Sequence, residues 1–243
     1  MICRLDADAL LVLWERALGQ GTSARDDALL QALPDAAAST RTLGERNTRL
    51  LALHAQLFGS ELALLSHCLA CGTAAQFSAD CDSLTAQTPA RHDASSSHHL
   101  EAHGHTIEFR LPGSADIAAV AGAPDDDEFA SELLARCVLA CSRDGARVQT
   151  HELPAPVLEA LSQHMELLDP AANVSFALEC PQCAVHWDAR LDVGQLVWQK
   201  LQAAAERVLL DVDALARAYG WTEPEVLRLS PTRRAAYLQL VTA

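Results

Sequence analysis

The sequence predicts an α+β fold that is predominantly helical, and three observations carry that prediction. Half of the residues are hydrophobic but only 5% are aromatic, so the core must be built from small aliphatic contacts, which suits packed helices better than a β-sandwich. Near both ends of the chain apolar residues recur at intervals of three and four, the period of an amphipathic helix. Between them, short segments alternate apolar and polar residues as half-buried strands do. At 243 residues the chain can bury a substantial core, as one large or two small domains.

Taken in order, the helical period runs from Leu5 to about His67 through Leu10, Leu11, Leu13 and Trp14, then Leu29, Leu30 and Leu33, then Leu50, Leu53, Leu57, Leu62 and Leu65. This predicts three helices and a short fourth. Asp6 and Ser23 are placed as N-caps, Gly19 and Gly21 punctuate the first turn, and Pro34 closes the second helix. After the pair Cys68 and Cys71, alternation through Ala75, Phe77 and Ala79 predicts one short strand. Residues 85–104 are polar and rich in Ser and His with no apolar period, and are read as a flexible linker.

Pattern resumes at His105, where Ile107, Phe109 and Leu111 alternate with polar partners as a strand. An acidic run, Asp125 to Glu128, opens a helix through Phe129, Leu133, Leu134, Cys137, Val138 and Cys141, its carboxylates placed where the helix dipole favours them. On that helix Cys137 and Cys141 share a face as buried small hydrophobes. A strand near residues 147–150, a helix from Pro154 or Pro156 to Leu168, and a strand over residues 174–178 follow. The second pair, Cys180 and Cys183, comes directly after. A long helix from about Val193 to Tyr219 ends at Gly220, Thr222 and Glu225 form a capping box, and Ser230-Pro231 starts a last helix. The regions are thus 1–84, helical and ending in the first Cys pair; the linker 85–104; a strand-containing middle, 105–170; and 171–243, the second pair and the C-terminal helices.

The two Cys-x-x-Cys pairs carry the chemistry. Two thiolates two residues apart can grip one Zn²⁺, because the turn between them points backbone amides at the sulfurs, and two such knuckles complete a closed, structural tetrahedron. Cys71 and Cys180 are 109 positions apart, so one shared Cys₄ zinc per chain, with ligands Cys68, Cys71, Cys180 and Cys183, would join the N- and C-terminal helical parts across the middle region. Two alternatives stay open: metal-free thiols, packed or redox-active, and two separate sites completed by Cys81, His186 or the His-rich stretch. The first knuckle is followed by Gly72 and the second by Ala184, although the turn calls for a left-handed residue at both. His99-Leu100-Glu101 spells the His-x-Glu of zinc deaminases, but their second half is Pro-Cys-x-x-Cys, whereas here Pro181 lies inside the pair. No Gly-rich phosphate loop, Gly-x-Ser-x-Gly elbow or His-Glu-x-x-His occurs, so a thiol-redox or metal-dependent enzyme is the minority expectation.

Charge narrows the partners. The chain carries 32 acidic against 18 basic side chains and a formal charge of −14, a field that repels nucleic acid and anionic membranes. No small-molecule substrate is expected either. Residues 120–169 hold ten acidic and three basic residues, which suits docking of a basic protein. Asp6, Asp8 and the Trp14-Glu15-Arg16 step break any secretion-signal pattern, and no apolar run is long enough to span a bilayer, so a cytoplasmic protein is expected, with reduced thiols.

One stretch is specific enough to compare. Tyr219, Gly220, Trp221, Glu225, Val226, Leu227, Leu229, Ser230, Pro231, Arg233, Arg234, Tyr237 and Leu238 form a pattern that resembles the ending of small baseplate and tail-assembly proteins of contractile-tailed phages and phage-tail-like contractile injection systems. The segments Leu13 to Arg16, Leu57 to Gly59, Phe109 to Pro112 with Ala115-Asp116, and the two Cys pairs also look like that group. The resemblance implies structural or assembly work at a baseplate, other baseplate or hub proteins as partners, and no catalytic residues. The residues themselves allow two readings: Trp221, Leu227, Leu229, Tyr237 and Leu238 make an apolar helical-hairpin face that is either ordinary core or, with Arg233 and Arg234 beside it, a partner-binding surface, whose composition it fits. A zinc-ribbon adaptor unrelated to tails is the competing expectation.

Overall fold

The computed structural model describes residues 6–33, 41–86 and 96–242; Cys3 and the Pro34 stop lie outside them. The chain is α+β and mostly helical. Three helices open it: α1 (Ala7–Ala17), α2 (Thr22–Leu30) and α3 (Leu43–Phe58). A hairpin of β1 (Glu61–His67) and β2 (Ala74–Asp80) follows, then the short α4 (Cys81–Ala86). The middle of the chain forms a four-stranded antiparallel sheet of β3 (Ser97–Ala102), β4 (His105–Arg110), β5 (Val138–Arg143) and β6 (Ala146–Arg147), in that order. Helices α5 (Ser114–Val120) and α6 (Asp126–Cys137) lie between β4 and β5, and α7 (Ala155–Leu168) comes after β6. A second hairpin, β7 (Ser175–Glu179) with β8 (His186–Arg190), leads into α8 (Val193–Tyr219), α9 (Glu223–Leu227) and α10 (Pro231–Thr242).

Two main cores result. In the first, Leu13, Leu29, Leu30, Leu50, Leu53 and Leu62 of the N-terminal elements close on Val197, Trp198 and Leu201 of α8, so the beginning and end of the chain share one interior. In the second, Ile107, Phe109 and Leu111 meet Cys137, Cys141, Val157 and Leu161. Of the caps read from sequence, Asp6 accepts from the Ala9 amide and Gly220 ends α8 in the left-handed region. Ser23 is not an N-cap: α2 begins one residue earlier, at Thr22, behind Gly21, which has no side chain to cap with. Asp125, read only as part of an acidic first turn, caps α6 by accepting from the Glu128 amide.

The structure corrects the sequence reading in four further places. Leu62 and Leu65 are not helical: Gly59 stops α3, and in β1 Leu62 faces the core while Leu65 faces outward. A spacing of three fits a helix, but Leu62 and Leu64 turned to one face fit the strand that β2 pairs. Cys137 and Cys141 do not share a helix, because α6 ends at Cys137 and Cys141 lies on β5; both are nonetheless buried, and burial pushes the Cys137 thiol up to about 11. The polar stretch read as linker contains β3, whose His98 and Leu100 turn inward, His98 against Phe109 and Leu100 into the second core. Helix α5, to which the sequence reading assigned no element, is set by tertiary contact: Arg110 donates two hydrogen bonds of 2.7 Å to the Asp116 carboxylate, which also accepts from the Gly113 amide.

Two glycines pin the helical parts together. Helices α3 and α8 both carry Gly at their second position, and each receives a carboxylate from a distant element. Gly44 donates its amide to Asp169 at 2.9 Å, and a Cβ there would lie 1.7 Å from Asp169 Oδ1. A Cβ on Gly194 would lie 2.4 Å from Asp26 Oδ2. Asp26 is 1% exposed, faces Arg46 at 3.5 Å, and leaves Oδ1 unpartnered. Burial therefore pushes its carboxyl up to about 6, against the pull of Arg46 and Arg25. Nearby, Arg25 reaches Gln195 and lies over the Trp198 ring.

Gly44→Ala is expected to lower unfolding free energy by about 2–3 kcal/mol, since the methyl displaces the Asp169 cap and leaves the α3 amide unpaired. Gly122→Ala, with open space around it, is expected to be near neutral in the same urea titration. Asp26 binds its proton more tightly folded than unfolded, so stability falls as pH rises from about 4 to 6. Relative to wild type, Asp26→Asn should gain about 3 kcal/mol between pH 4 and pH 7, read as a pH-dependent difference in urea midpoints.

Candidate metal centre

Both Cys pairs form the turns of hairpins, Cys68 and Cys71 between β1 and β2, Cys180 and Cys183 between β7 and β8. Their backbones repeat the same two bonds. The Cys68 amide donates to the Thr73 carbonyl and the Gly72 amide to the Cys68 carbonyl, both at 2.9 Å; the Cys180 amide donates to Val185 at 2.9 Å and the Ala184 amide to Cys180 at 3.0 Å. Gly72 and Ala184 occupy matching places with φ of 72° and 56°. The left-handed turn anticipated at both positions is there, and only one of them holds a glycine.

The turns bring the four sulfurs together although 109 positions separate the pairs. All four lie within 4.8 Å of one another, with Cys68 3.6 Å from Cys183 and Cys71 3.5 Å from Cys180. Four thiolates around one ion at about 2.3 Å would stand about 3.8 Å apart, so the cluster has the dimensions of a tetrahedral metal site. Cys68 and Cys180 are buried and Cys71 and Cys183 exposed. The hydroxyl and backbone amide of Thr73 hold the Cys71 thiol down at about 6. Against a backbone hydrogen bond at Val185, the neighbouring sulfurs push the Cys183 thiol up to about 12. The proton that Cys183 holds is one that a bound divalent cation would displace.

The surrounding side chains stiffen this arrangement. Trp187 packs with Cys68 and Cys180, and its indole N–H donates to Ser66 Oγ at 3.2 Å. Thr73 donates to Gln182 across the gap between the turns. Phe77 and Phe176, one from each hairpin, meet at 5.1 Å. In the sequence an aromatic follows each pair, Phe77 the first and Trp187 the second; the Ser66 and Gln182 partners depend on the hairpins meeting and had no local signal. Residues proposed for separate sites lie elsewhere: Cys81 is buried 3.7 Å from His54, and His186 stands beside Glu179. Among the described residues the four-cysteine group is the one cluster of this kind.

The C-terminal face is built around aromatics. Trp221 stacks on Tyr219 at 4.8 Å and meets Tyr237 edge-on at 4.9 Å. Leu227 packs partly buried against Leu11, Ala205 and Val208. The two arginines part company, Arg233 being exposed while Arg234 turns inward to Asp211 at 3.1 Å. No helix among the described residues is long and apolar enough to cross a membrane.

A family model described as T4 bacteriophage base plate protein matches residues 22–192, a span that includes both cysteine turns and stops short of the C-terminal aromatic face. No curated protein and no solved structure matches the chain.

Ala184 sits in a backbone conformation that costs an L-residue about 1 kcal/mol and glycine almost nothing. Ala184→Gly is therefore expected to raise the thermal midpoint by a few degrees, whereas Gly72→Ala at the equivalent position should lower it, both read by differential scanning calorimetry.

Proposed function

Since the chain belongs to the T4 bacteriophage base plate protein family, we propose that it is a non-enzymatic structural or assembly component of the baseplate of a contractile phage-tail-like injection system, held in shape by one structural zinc. The observation that carries the metal half of this reading is the gathering of four sulfurs from turns 109 positions apart. Four soft thiolates in tetrahedral reach favour Zn²⁺ over the hard cations. They fill every position of such an ion and leave none open for a substrate, which favours a clasp over a catalyst. On this reading the clasp joins region 1–84 to region 171–243, with the middle region 105–170 carried between them, and the protein works in the cytoplasm where its thiols stay reduced.

The partners are other baseplate or hub proteins, and the C-terminal face is the docking surface. Trp221, Leu227 and Tyr237 supply a rigid aromatic and aliphatic patch, and the exposed Arg233 supplies its charged rim. Arg234 serves the same surface indirectly, because its ion pair with Asp211 fixes α10 against α8.

Natively purified protein is expected to carry about one zinc per chain by elemental analysis, and Cys71→Ser and Cys183→Ser should each abolish it and lower the thermal midpoint by roughly 10 °C or more. Zinc-free protein of unchanged stability would remove the clasp. Co-expressed with the neighbouring baseplate proteins of its own particle, the chain should enter a stable complex that Trp221→Ala or Tyr237→Ala weakens while zinc content stays intact. Normal particle assembly in its absence would overturn the baseplate role.

A further inference from the structure

A second surface stands apart from both the cysteine cluster and the aromatic face. Helix α6 is poorly covered by the described residues. Of its residues only Cys137 is buried, while Phe129, Leu133 and Leu134 are left half-buried along one side. That side does not close on α7. Between the two helices runs a groove of about 460 Å³ floored by Leu111, Pro112 and Ile117, with Met165 and Ser162 on the α7 wall. The spacing of Phe129, Leu133 and Cys137 is that of one helical face, and a stripe of this kind is ordinarily buried against another helix.

The rims of the groove are acidic. Asp126 stands on the α6 side and Glu166 on the α7 side, both exposed, and among the described residues that line the groove Arg190 is the one cation. The surrounding segment, residues 120–169, holds ten acidic and three basic side chains. One of those three, Arg136, is engaged with Asp116 at 3.4 Å. A second copy of this chain would bring its own formal charge of −14 to the same place, so charge opposes self-association here.

We propose that the α6–α7 groove binds an amphipathic helix of a partner protein whose apolar stripe fills the groove and whose flanking residues are Lys or Arg. This surface is independent of the metal clasp. Apolar contact along α6 supplies the affinity and the acidic rims supply orientation and encounter rate. Ala130, exposed in the middle of α6 and lining the groove, is the position where a larger side chain would occupy the ligand's place without removing a core residue.

The test uses a fluorescein-labelled Leu/Lys amphipathic peptide of about 14 residues, roughly 21 Å of helix, titrated with the full-length protein and followed by anisotropy. Binding is expected, weakening with added salt. Ala130→Trp, which blocks the groove at unchanged charge, and Asp126→Lys with Glu166→Lys, which reverses the rims, should each weaken it about tenfold or more. Circular dichroism checks that both variants fold. Trp221→Ala, on the other face, should leave the peptide affinity unchanged, which separates this inference from the baseplate docking surface. Equal binding of a scrambled peptide of the same composition, or an affinity untouched by Ala130→Trp, would overturn the proposal in favour of bulk charge attraction. Tighter binding of a Leu/Glu peptide would overturn it as well. So would concentration-dependent dimerisation that Ala130→Trp abolishes, since the occupant would then be a second copy.

Discussion

The structure depends on one long-range meeting, the approach of two hairpin turns whose cysteines come from distant parts of the chain. Each turn is ordinary in itself, a tight loop whose second bond requires a left-handed residue. Neither buries enough surface to stand alone, since isolated two-stranded hairpins are marginal in water. Brought together, they share Trp187 over Cys68 and Cys180, the Phe77–Phe176 contact, and the Thr73–Gln182 hydrogen bond. Closing a loop of this length is entropically costly. A four-thiolate grip on one ion is an interaction of the right size to offset that cost, and the proposed zinc would make the meeting permanent.

The same problem is solved twice more without sulfur. Asp169 and Asp26 each reach the first turn of a helix, α3 and α8, at a glycine that leaves room for them. Helix N-termini present unsatisfied amides and a positive dipole end, so a carboxylate there compensates both. The two sites differ in quality. Asp169 accepts the Gly44 amide, whereas Asp26 is buried with one oxygen unpartnered and a carboxyl that protonates more readily than usual. The contact between α2 and α8 is accordingly one whose strength follows pH.

Much of this was legible in sequence because the signals were local. The caps at Asp6 and Thr222, the acidic first turn from Asp125, the glycine after Tyr219, and the alternation through Ile107, Phe109 and Leu111 each act within a few residues of where they are read. What escaped depends on contacts between distant residues. Leu62 and Leu65 satisfy a helical spacing by number, and only pairing with β2 makes them a strand. Strand β3 hides among polar residues because its inward side is half histidine. Helix α5 is too short to show a period and is held by the Arg110–Asp116 fork. For the candidate site, the four ligand positions and both following aromatics could be named from spacing, whereas Ser66 and Gln182 could not. The inward turn of Arg234 needed Asp211, which lies on a different helix.

A small, acidic protein in a large assembly must present its contacts at defined angles. The proposed clasp and the glycine-seated carboxylates serve that end: the carboxylates tie α2 to α8 and the end of α7 to α3, and two faces are left outside that frame. The C-terminal face is aromatic with an arginine at its edge, and the α6–α7 groove is mostly aliphatic, with Phe129 in its wall and carboxylates at its rims. A partner shaped for a stacked aromatic patch does not suit a groove rimmed by carboxylates, and such discrimination is how specificity is obtained when apolar contact alone would be promiscuous. A frame with two such faces would set the order of two neighbours along the particle as well as their identity. That ordering is work for a rigid connector, and it needs no chemistry beyond the metal proposed to hold the frame.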